Sequence, residues 1–375
     1  MKLAVIGRGL LGAAAARHLC GMGHEVALIG PDEPAEFAQH DGVFGSHFDE
    51  GRITRSLDQH PFWAEVSRAA IARYGDIAAQ SGVDFYTEVG ALHFGPADHP
   101  DILATGRVAA EQAIPCEAHD DAGLAERFPY LRFPAGTKGY FEPRNAGYIS
   151  PRRLVRAQTI AAERGGARII NATASGVSET ATGVTIRTDT GDITAERVLV
   201  AAGGHTQSLL GQSLGHRVYA RTVALFRLDA AEVQRLSGMP SLRCFGPRGE
   251  TPYILPPVPY PGGQTWLKLG GDPVDIPLEG EADIRGWFRS GGSESVADIL
   301  EQQILARIPA LAFAERRHVP CMTTFTGAGL PCIGPLSARV AVATAGCGAG
   351  AKCSDELGRL GGMALLGEVR AELAP

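Results

Sequence analysis

Three glycines near the start of the chain are spaced to hold a phosphate. Gly7, Gly9 and Gly12 form a G-x-G-x-x-G pattern. The first permits a tight turn, the second lets a pyrophosphate approach the backbone, and the third allows a helix to pack closely on a strand. The helix that follows would point free N–H groups and a positive dipole at the phosphates. The pattern predicts a dinucleotide site but does not distinguish FAD from NAD.

The acidic residue that usually binds a ribose hydroxyl is missing from the expected position. Gly30 ends the second predicted strand, where this acid normally stands, and Asp32 and Glu33 lie just beyond it. Either carboxylate could reach back to the ribose. No arginine occurs between Arg17 and Arg52, which argues against a preference for a 2′-phosphate.

Several cations have spacings that suit anion binding. Arg52 and Arg55 are three residues apart in a polar, glycine-containing stretch, and guanidinium groups bind carboxylate or phosphate with a planar fork. A solvated helix start explains this pair equally well. Lys268 shares one face of a predicted strand with Trp266, so it either points inside or extends from a sheet edge. Lys352 ends a second glycine-rich turn, GCGAGAK.

The elements that would position these residues follow an alternating pattern. Strands are predicted at Leu3–Ile6 and His24–Ile29, with an alanine-rich helix to Cys20 between them. Two further short apolar runs, VLVAAGG ending at Gly203–Gly204 and VAVATAG before the second glycine turn, are typical of buried strands. Glycine turns from distant parts of the chain would then meet at one bipartite site.

Other stretches predict elements outside this unit. Helical spacing of apolar residues extends from Phe62 to Gln80 and from Asp283 to Ala312, and a further helix starts at Pro151. Strands are predicted at Ala91–Phe94 and in TWLKLGG, Thr265–Gly271.

Bulk properties exclude several classes of protein. The 375 residues are 45% hydrophobic and 20% charged, which is typical of a folded enzyme with a large core. A net charge of −6 gives no reason to expect nucleic acid or an anionic membrane as a partner, and no apolar run is long enough to span a bilayer. Seven cysteines without metal-type spacing predict a reduced, cytoplasmic setting.

An ordered set of motifs carries a resemblance over nearly the whole chain. The motifs are GRGLLG, GSHFDEGRITR, PYILPP through TWLKLGG, PCMTTFT and GCGAGAK. The chain resembles the monomeric sarcosine oxidase and N-methyltryptophan oxidase group of D-amino-acid-oxidase-like FAD enzymes. The resemblance implies a mixed α/β fold in which a Rossmann-like FAD-binding domain (1–57, 146–217 and 322–375) is interleaved with a β-sheet substrate domain (58–145 and 218–321).

The resemblance also implies residue roles. Cys321 matches the cysteine that bonds covalently to the flavin, and Lys268 matches the lysine that promotes reaction of reduced flavin with oxygen. Arg55 and Lys352 match the pair that binds the substrate carboxylate, Tyr253 a tyrosine of the pocket, and Arg52 an arginine near the flavin ring. The remaining implied flavin contacts are Gly7, Gly9, Leu10, Leu11, Gly12, Ser46, Gly203, Met322, Gly348 and Gly350.

The implied function is oxidation of a secondary or N-methyl amino acid to an imine, with O2 reduced to H2O2 by a monomeric, cytoplasmic enzyme. Its partners are a small amino acid or amine and O2, with no nucleic acid, membrane or metal. Three alternatives remain: a flavin dehydrogenase with another acceptor, a flavin-binding subunit of a larger amine-oxidising complex, and an NAD-dependent dehydrogenase. Fructosyl-amino-acid oxidation is an alternative at the level of substrate.

Four positions depart from the resemblance. Phe48 and Asp272 stand where histidines are expected, Thr323 where a tyrosine is common, and Gly30 where the ribose acid belongs. These departures argue against sarcosine itself as the substrate. An extra carboxylate at Asp272 would favour a substrate with an additional amine or hydroxyl group.

Overall fold

The computed structural model describes residues 1–246 and 250–375. The strands are β1 Lys2–Ile6, β2 Glu25–Ile29, β3 Arg52–Thr54, β4 Tyr86–Glu88, β5 Ala91–Pro96, β6 Glu117–Asp120, β7 Thr137–Glu142, β8 Gly147–Ile149, β9 Arg168–Ile170, β10 Ala174–Glu179, β11 Val184–Thr188, β12 Ile193–Ala195, β13 Arg197–Val200, β14 Arg217–Leu228, β15 Ser241–Cys244, β16 Tyr253–Pro259, β17 Thr265–Gly270, β18 Ile276–Pro277, β19 Glu315–Phe325, β20 Cys332–Pro335 and β21 Val340–Thr344. The helices are α1 Leu10–Gly21, α2 Pro61–Ile71, α3 Tyr74–Ser81, α4 Pro100–Glu111, α5 Asp121–Arg127, α6 Pro151–Arg164, α7 Thr206–Leu210, α8 Ala230–Arg235, α9 Glu281–Ser290, α10 Glu294–Arg307 and α11 Ser354–Leu366, with 3-10 turns at Gly203–His205 and Ala371–Leu373.

A six-stranded sheet holds the opening glycine motif. Its order is β20-β21-β13-β1-β2-β9, and every pair is parallel except β20 with β21. Strands β1, β13 and β21 consist mostly of buried apolar residues, as expected where both faces of a parallel sheet are covered. Helices α1 and α11 pack on one face. The strands predicted from the apolar runs, and the α/β class, are confirmed.

Close packing of α1 against β1 and α11 requires glycine at specific positions. A Cβ at Gly12 would lie 1.9 Å from the Gly7 carbonyl oxygen, which accounts for the third glycine of the motif. On the other side of α1, a Cβ at Gly358 of α11 would lie 2.5 Å from Ala14 Cβ and 2.6 Å from the Leu11 carbonyl oxygen. The Leu11 carbonyl belongs to α1 itself, so it cannot move away without displacing that helix.

Substitution of Gly358 by alanine is therefore expected to lower the free energy of unfolding by about 2–3 kcal/mol through overpacking. Gly75→Ala in α3 is the matched control, because no described atom outside the adjoining backbone of its own helix lies within 4 Å of a Cβ built there. That change is expected to raise stability by about 0.5–1 kcal/mol through helix propensity. Urea unfolding of both variants tests this, and equal stabilities would contradict it.

A second, nine-stranded sheet runs in the order β18-β14-β17-β16-β15-β5-β7-β6, with β19 paired along β14. One of its faces packs on a core formed with α10, and it includes the predicted strands at Ala91 and Thr265. Sheets β3-β8-β4 and β10-β11-β12 complete the architecture. No helix in the described ranges has both the length and the apolar character needed to cross a bilayer.

Two predicted helices are wrong as single elements. The stretch from Phe62 to Gln80 forms α2 and α3, because the chain turns at Ala72–Arg73 and the Arg73 side chain pairs with Asp355 and Glu356. The stretch from Asp283 to Ala312 forms α9 and α10, separated by Gly291 and Gly292 at φ +79° and +99°. The helix from Pro151 is confirmed as α6, with Ser150 capping its first turn.

His216, just before β14, makes stability depend on pH. Its side chain is buried, neither ring nitrogen has a hydrogen-bond partner among the described residues, and burial lowers its pKa from 6.5 to about 4. The unfolded chain therefore binds more protons than the folded chain below pH 6.5. His216 does not reduce the free energy of unfolding above pH 6.5, and it reduces that free energy progressively as the pH falls towards 4.

Between pH 7 and 4.5 the free energy of unfolding should fall by about 2 kcal/mol more in the wild type than in His216→Phe. Urea unfolding at both pH values checks this, and parallel losses would contradict it.

Candidate functional site

A cavity of about 560 Å³ lies where the glycine turns of the six-stranded sheet meet β19. Most of the sequence-predicted cofactor residues line it: Gly7, Gly9, Leu10, Leu11, Ser46, Arg52, Gly203, Cys321, Met322, Gly348 and Gly350. Two predicted residues, Gly12 and Lys352, lie behind its wall. The structure thus brings together segments more than 300 residues apart in the chain.

The N-terminus of α1 opens into this cavity without a side-chain cap. Gly9 occupies the N-cap position and has no side chain to accept from the helix, so the first backbone N–H groups are available to a phosphate. Gly7 has φ +106°, and a Cβ there would lie 2.3 Å from the Ala201 carbonyl oxygen. His47 flanks Gly9; burial, Arg152 and Arg8 lower its pKa to about 3, so its ring is neutral.

The absence of a ribose acid at position 30 has a steric cause. A Cβ at Gly30 would lie 2.6 Å from the Arg8 backbone nitrogen, so no side chain fits there. Asp32 instead pairs with the Arg8 guanidinium and accepts a hydrogen bond from Asn171 at 2.6 Å, while Glu33 pairs with Arg152. Arg8 lines the cavity, whereas Asp32 and Glu33 do not.

The second glycine turn closes the cavity from the other end of the chain. A Cβ at Gly346 would lie 2.8 Å from the Gly350 Cα, so the turn folds tightly on itself. Gly348 has φ +74°, a left-handed conformation that favours glycine. The Cys347 N–H donates to the Thr324 carbonyl at 2.9 Å, which ties the turn to β19.

Arg52 and Cys321 lie side by side at one end of the cavity. The Arg52 Nη2 is 3.4 Å from the Cys321 Sγ and donates to the Ser46 carbonyl at 3.1 Å. The Cys321 carbonyl accepts a hydrogen bond from the Trp287 indole at 2.8 Å, so α9 holds this part of β19 in place. A cysteine and a cation are therefore fixed next to each other on the cavity wall.

Lys268 lies directly behind this wall. Its side chain is completely buried, so of its two possible positions the structure has the internal one. The ammonium donates to the Asp49 carboxylate and, at 2.6 Å, to the Gly51 carbonyl, and it lies 5.8 Å from the centre of the Tyr253 ring. Burial and the neighbouring Arg52 lower the pKa of Lys268, whereas direct contact with the Asp49 carboxylate opposes this shift and stabilises the charged ammonium.

Asp49 is a site residue that sequence reasoning missed. Its buried carboxylate contacts both Lys268 and Arg52, and it accepts a hydrogen bond from the Tyr260 hydroxyl at 2.8 Å. A buried ammonium normally requires such a counter-ion. Its spacing three residues before Arg52, within a motif already identified, was the available signal.

Arg55 and Lys352 are held together by a second missed carboxylate, Asp58. Its Oδ2 lies 3.2 Å from the Lys352 Nζ and 3.5 Å from the Arg55 Nη2. Although burial opposes it, the two cations hold the pKa of Asp58 below its usual value. Arg55 also donates through Nε to the Nε2 of His93, a fully buried ring.

The donors of these two cations differ in availability. Lys352 has three N–H bonds, and its Nζ already contacts Asp58, the Ser67 hydroxyl and the Trp63 carbonyl. Arg55 has no hydrogen-bond partner for its Nη1 within the described ranges. Arg55 is therefore the member of the pair that offers a free donor to a ligand.

The nine-stranded sheet positions the remaining polar groups in one row. Gly270 of β17, Tyr253 of β16, Arg243 of β15 and His93 of β5 are successive in-register partners, so they share one face. The Tyr253 ring covers Gly270, where a Cβ would lie 2.4 Å from it. Asp272, just beyond, accepts hydrogen bonds from the backbone of Thr222 and Val274 and does not line the cavity.

Two glycine turns and an uncapped helix N-terminus surround one cavity next to a polar sheet. This arrangement defines a protein that binds a dinucleotide cofactor for redox chemistry. The comparisons specify the cofactor: residues 2–361 match the family model DAO, described as FAD dependent oxidoreductase. The chain belongs to this family, as the sequence predicts.

Curated relatives give a narrower similarity. The chain is 25% identical over 210 residues to the N-methyl-L-tryptophan oxidase of Citrobacter koseri and 27% identical to that of Yersinia pestis. Each match covers 56% of this chain and 55% of the relative, so it spans about half the length of the curated relatives.

Solved structures share the fold along the whole chain. NikD, an unusual amino acid oxidase essential for nikkomycin biosynthesis, matches with a TM-score of 0.79 and 20% identity, covering 100% of this chain and 97% of NikD. Amadoriase I from Aspergillus fumigatus matches with a TM-score of 0.73 and 19% identity, covering 99% of this chain and 88% of Amadoriase I. L-proline dehydrogenase from P. horikoshii matches with a TM-score of 0.78 and 15% identity, covering 99% of this chain and 94% of the dehydrogenase. The fold therefore includes both oxidases and a dehydrogenase.

Proposed function

We propose that this protein is an FAD-dependent oxidase of a secondary or N-methyl amino acid, converting a C–N bond to an imine and reducing O2 to H2O2. FAD, when bound, supplies the hydride acceptor. The observation that carries the proposal is the completely buried Lys268 ammonium behind the Arg52–Cys321 end of the cavity. The N-methyl-L-tryptophan oxidase relatives support the substrate class.

The residues that would hold FAD fit it. The bare N-terminus of α1 and Gly9 suit a pyrophosphate, while the turn around Gly348 and the wall at Cys321 suit the ring system. We propose that Cys321 forms the covalent bond to FAD and that Arg52 lies against the ring. In this arrangement FAD binding belongs to residues 1–57, 146–217 and 322–375, and substrate binding to 58–145 and 218–321. Strand β19 runs across that proposed boundary, and Cys321 is the last residue on its substrate side.

The substrate is oriented by charge. The free donor of Arg55 would bind the substrate carboxylate, and Lys352 would support it through Asp58. Tyr253 would close the pocket from the sheet. Neutral His93 accepts from Arg55 and fixes its guanidinium without adding charge. Holding the substrate in this way contributes to rate through orientation. The cations near the substrate amine favour its neutral form, from which hydride can leave.

Lys268 would serve the second half of the reaction. A fixed positive charge stabilises the negative charge that develops when oxygen accepts an electron, and it does so most effectively where water is excluded. A second candidate function is that of an FAD-dependent dehydrogenase that passes electrons to another acceptor. The Asp49 carboxylate partly cancels the charge of Lys268 and so weakens its stabilisation of reduced oxygen, which favours this candidate.

A peroxide-coupled screen tests the proposal. Enzyme whose covalent flavin has been verified by mass is mixed with N-methyl, cyclic and glycated amino acids. Peroxide release with an N-methyl or cyclic amino acid is expected. Flavin reduction by substrate without oxygen consumption would favour the dehydrogenase instead. We further propose a monomer acting in the cytoplasm, which light scattering and cell fractionation test.

A further inference from the structure

Arg243 lies in the middle of the polar row of the nine-stranded sheet. It pairs in register with Tyr253 on one side and with His93 on the other, so its side chain shares their face. The guanidinium donates to the Thr251 carbonyl at 2.5 Å and lies 5.5 Å from the centre of the Phe245 ring. The side chain is only partly exposed, and burial together with Arg55 lowers its pKa to about 10.

Within the described ranges, Arg243 lacks a direct counter-ion. Arg55 donates to His93, and Arg243 is the in-register neighbour of His93 on β15; these two cations and Lys352 lower the pKa of that ring in addition to burial. Asp58 pairs with Arg55 and Lys352, whereas Arg243 has no ion pair with any described carboxylate. Buried charges are normally paired, so an arginine without a direct ion pair in the described part of the chain, next to a second arginine with a free donor, points to an anionic ligand.

Free donors on two different arginines indicate that this ligand has two anionic groups. Arg55 offers Nη1, while Lys352 is saturated by protein groups. Arg243 uses Nη1 for the Thr251 carbonyl and has no partner for Nη2 among the described residues. Guanidinium N–H groups without a protein partner are suited to a carboxylate, and two arginines that each have such a group suit two carboxylates.

We propose that Arg243 binds an acidic side chain of the substrate, so that the substrate is a secondary amino acid with two carboxylates. The α-carboxylate lies at Arg55 and the side-chain carboxylate at Arg243. This inference rests on the proposed function for the position of the α-carboxylate. It replaces the expectation of an amine-bearing substrate based on Asp272, whose oxygens are engaged by backbone N–H groups.

Selectivity between two substrates tests the proposal. In the wild-type holoenzyme, kcat/KM for N-methyl-L-glutamate or N-methyl-L-aspartate should exceed that for N-methyl-L-alanine. Arg243→Met should lower kcat/KM for the better diacid by about 100-fold and that for N-methyl-L-alanine by less than about threefold. Arg227→Met is the matched control, since Arg227 lies on β14 of the same sheet and pairs with Glu315 at 3.0 Å. It should leave both values unchanged.

A binding measurement separates this inference from the proposed function. Glutarate and butyrate are titrated into the holoenzyme, and the flavin absorbance reports binding without turnover. Glutarate should bind at least about 10-fold more tightly than butyrate to the wild type and equally to Arg243→Met. Equal affinities in the wild type, or equal losses for both substrates in the variant, would overturn the role of Arg243. Absence of flavin reduction by every N-methyl amino acid, with the glutarate preference intact, would instead overturn the proposed function.

Discussion

Replacing Lys268 with methionine is expected to slow the reaction of the reduced enzyme with oxygen by about 100-fold, while reduction by the substrate stays nearly unchanged. The reason is local: Lys268 is completely buried behind the Arg52–Cys321 end of the cavity, so no solvent cation can replace it. Methionine has a similar length and no charge. Stopped-flow absorbance, with the reductive and oxidative halves followed separately, measures both rates.

Two controls make this result specific. Lys138→Met removes a lysine of β7 whose ammonium lies 5.2 Å from the Tyr140 ring, and it should alter neither rate. Lys268→Met leaves Asp49 with Arg52 and Tyr260, so the double variant with Asp49→Asn should be equally slow towards oxygen. Equal slowing of both halves in Lys268→Met would refute the assigned role.

Replacing Cys321 with serine is expected to abolish covalent flavin completely. Cys321 lines the cavity and its sulfur lies 3.4 Å from the Arg52 Nη2, whereas a serine hydroxyl is far less nucleophilic than a thiol. After acid precipitation the wild-type pellet should stay yellow, and that of Cys321→Ser should be colourless with FAD in the supernatant.

Cys347→Ser is the matched control for this experiment. Cys347 lines the same cavity from the second glycine turn, and burial raises the pKa of its thiol. Its variant should keep covalent flavin. Intact mass spectra quantify the adduct in all three proteins. A flavin adduct that survives in Cys321→Ser, or that is lost only in Cys347→Ser, would place the bond elsewhere.

The cofactor cavity could be predicted from the sequence because its determinants are local. A position that needs a tight turn or a close approach of backbone is occupied by glycine, and the glycine is visible in the sequence, as at Gly7 and Gly348. Short apolar runs likewise predicted the parallel strands correctly. The two split helices were missed because periodicity continues through a break; the pair Gly291–Gly292 carried a signal, whereas Arg73 turns the chain through contacts with α11.

The charge network could not be predicted in the same way. Asp49 and Asp58 acquire their roles from partners more than 200 residues away, Lys268 and Lys352. Arg243 is adjacent to Tyr253 and His93 only through strand pairing, and the sequence shows merely an arginine between two apolar residues. Counter-ions and cross-strand neighbours depend on the assembled sheet, so single-sequence patterns carry little information about them.

Anaerobic mixing of the flavin-loaded protein with N-methyl amino acids, N-methyl-L-glutamate among them, tests the central claim most directly. The flavin absorbance should fall with the substrate alone and return when oxygen is admitted, with one H2O2 formed for each substrate oxidised. An absorbance that stays constant with every N-methyl, cyclic and glycated amino acid would contradict the claim that this cavity oxidises secondary amines.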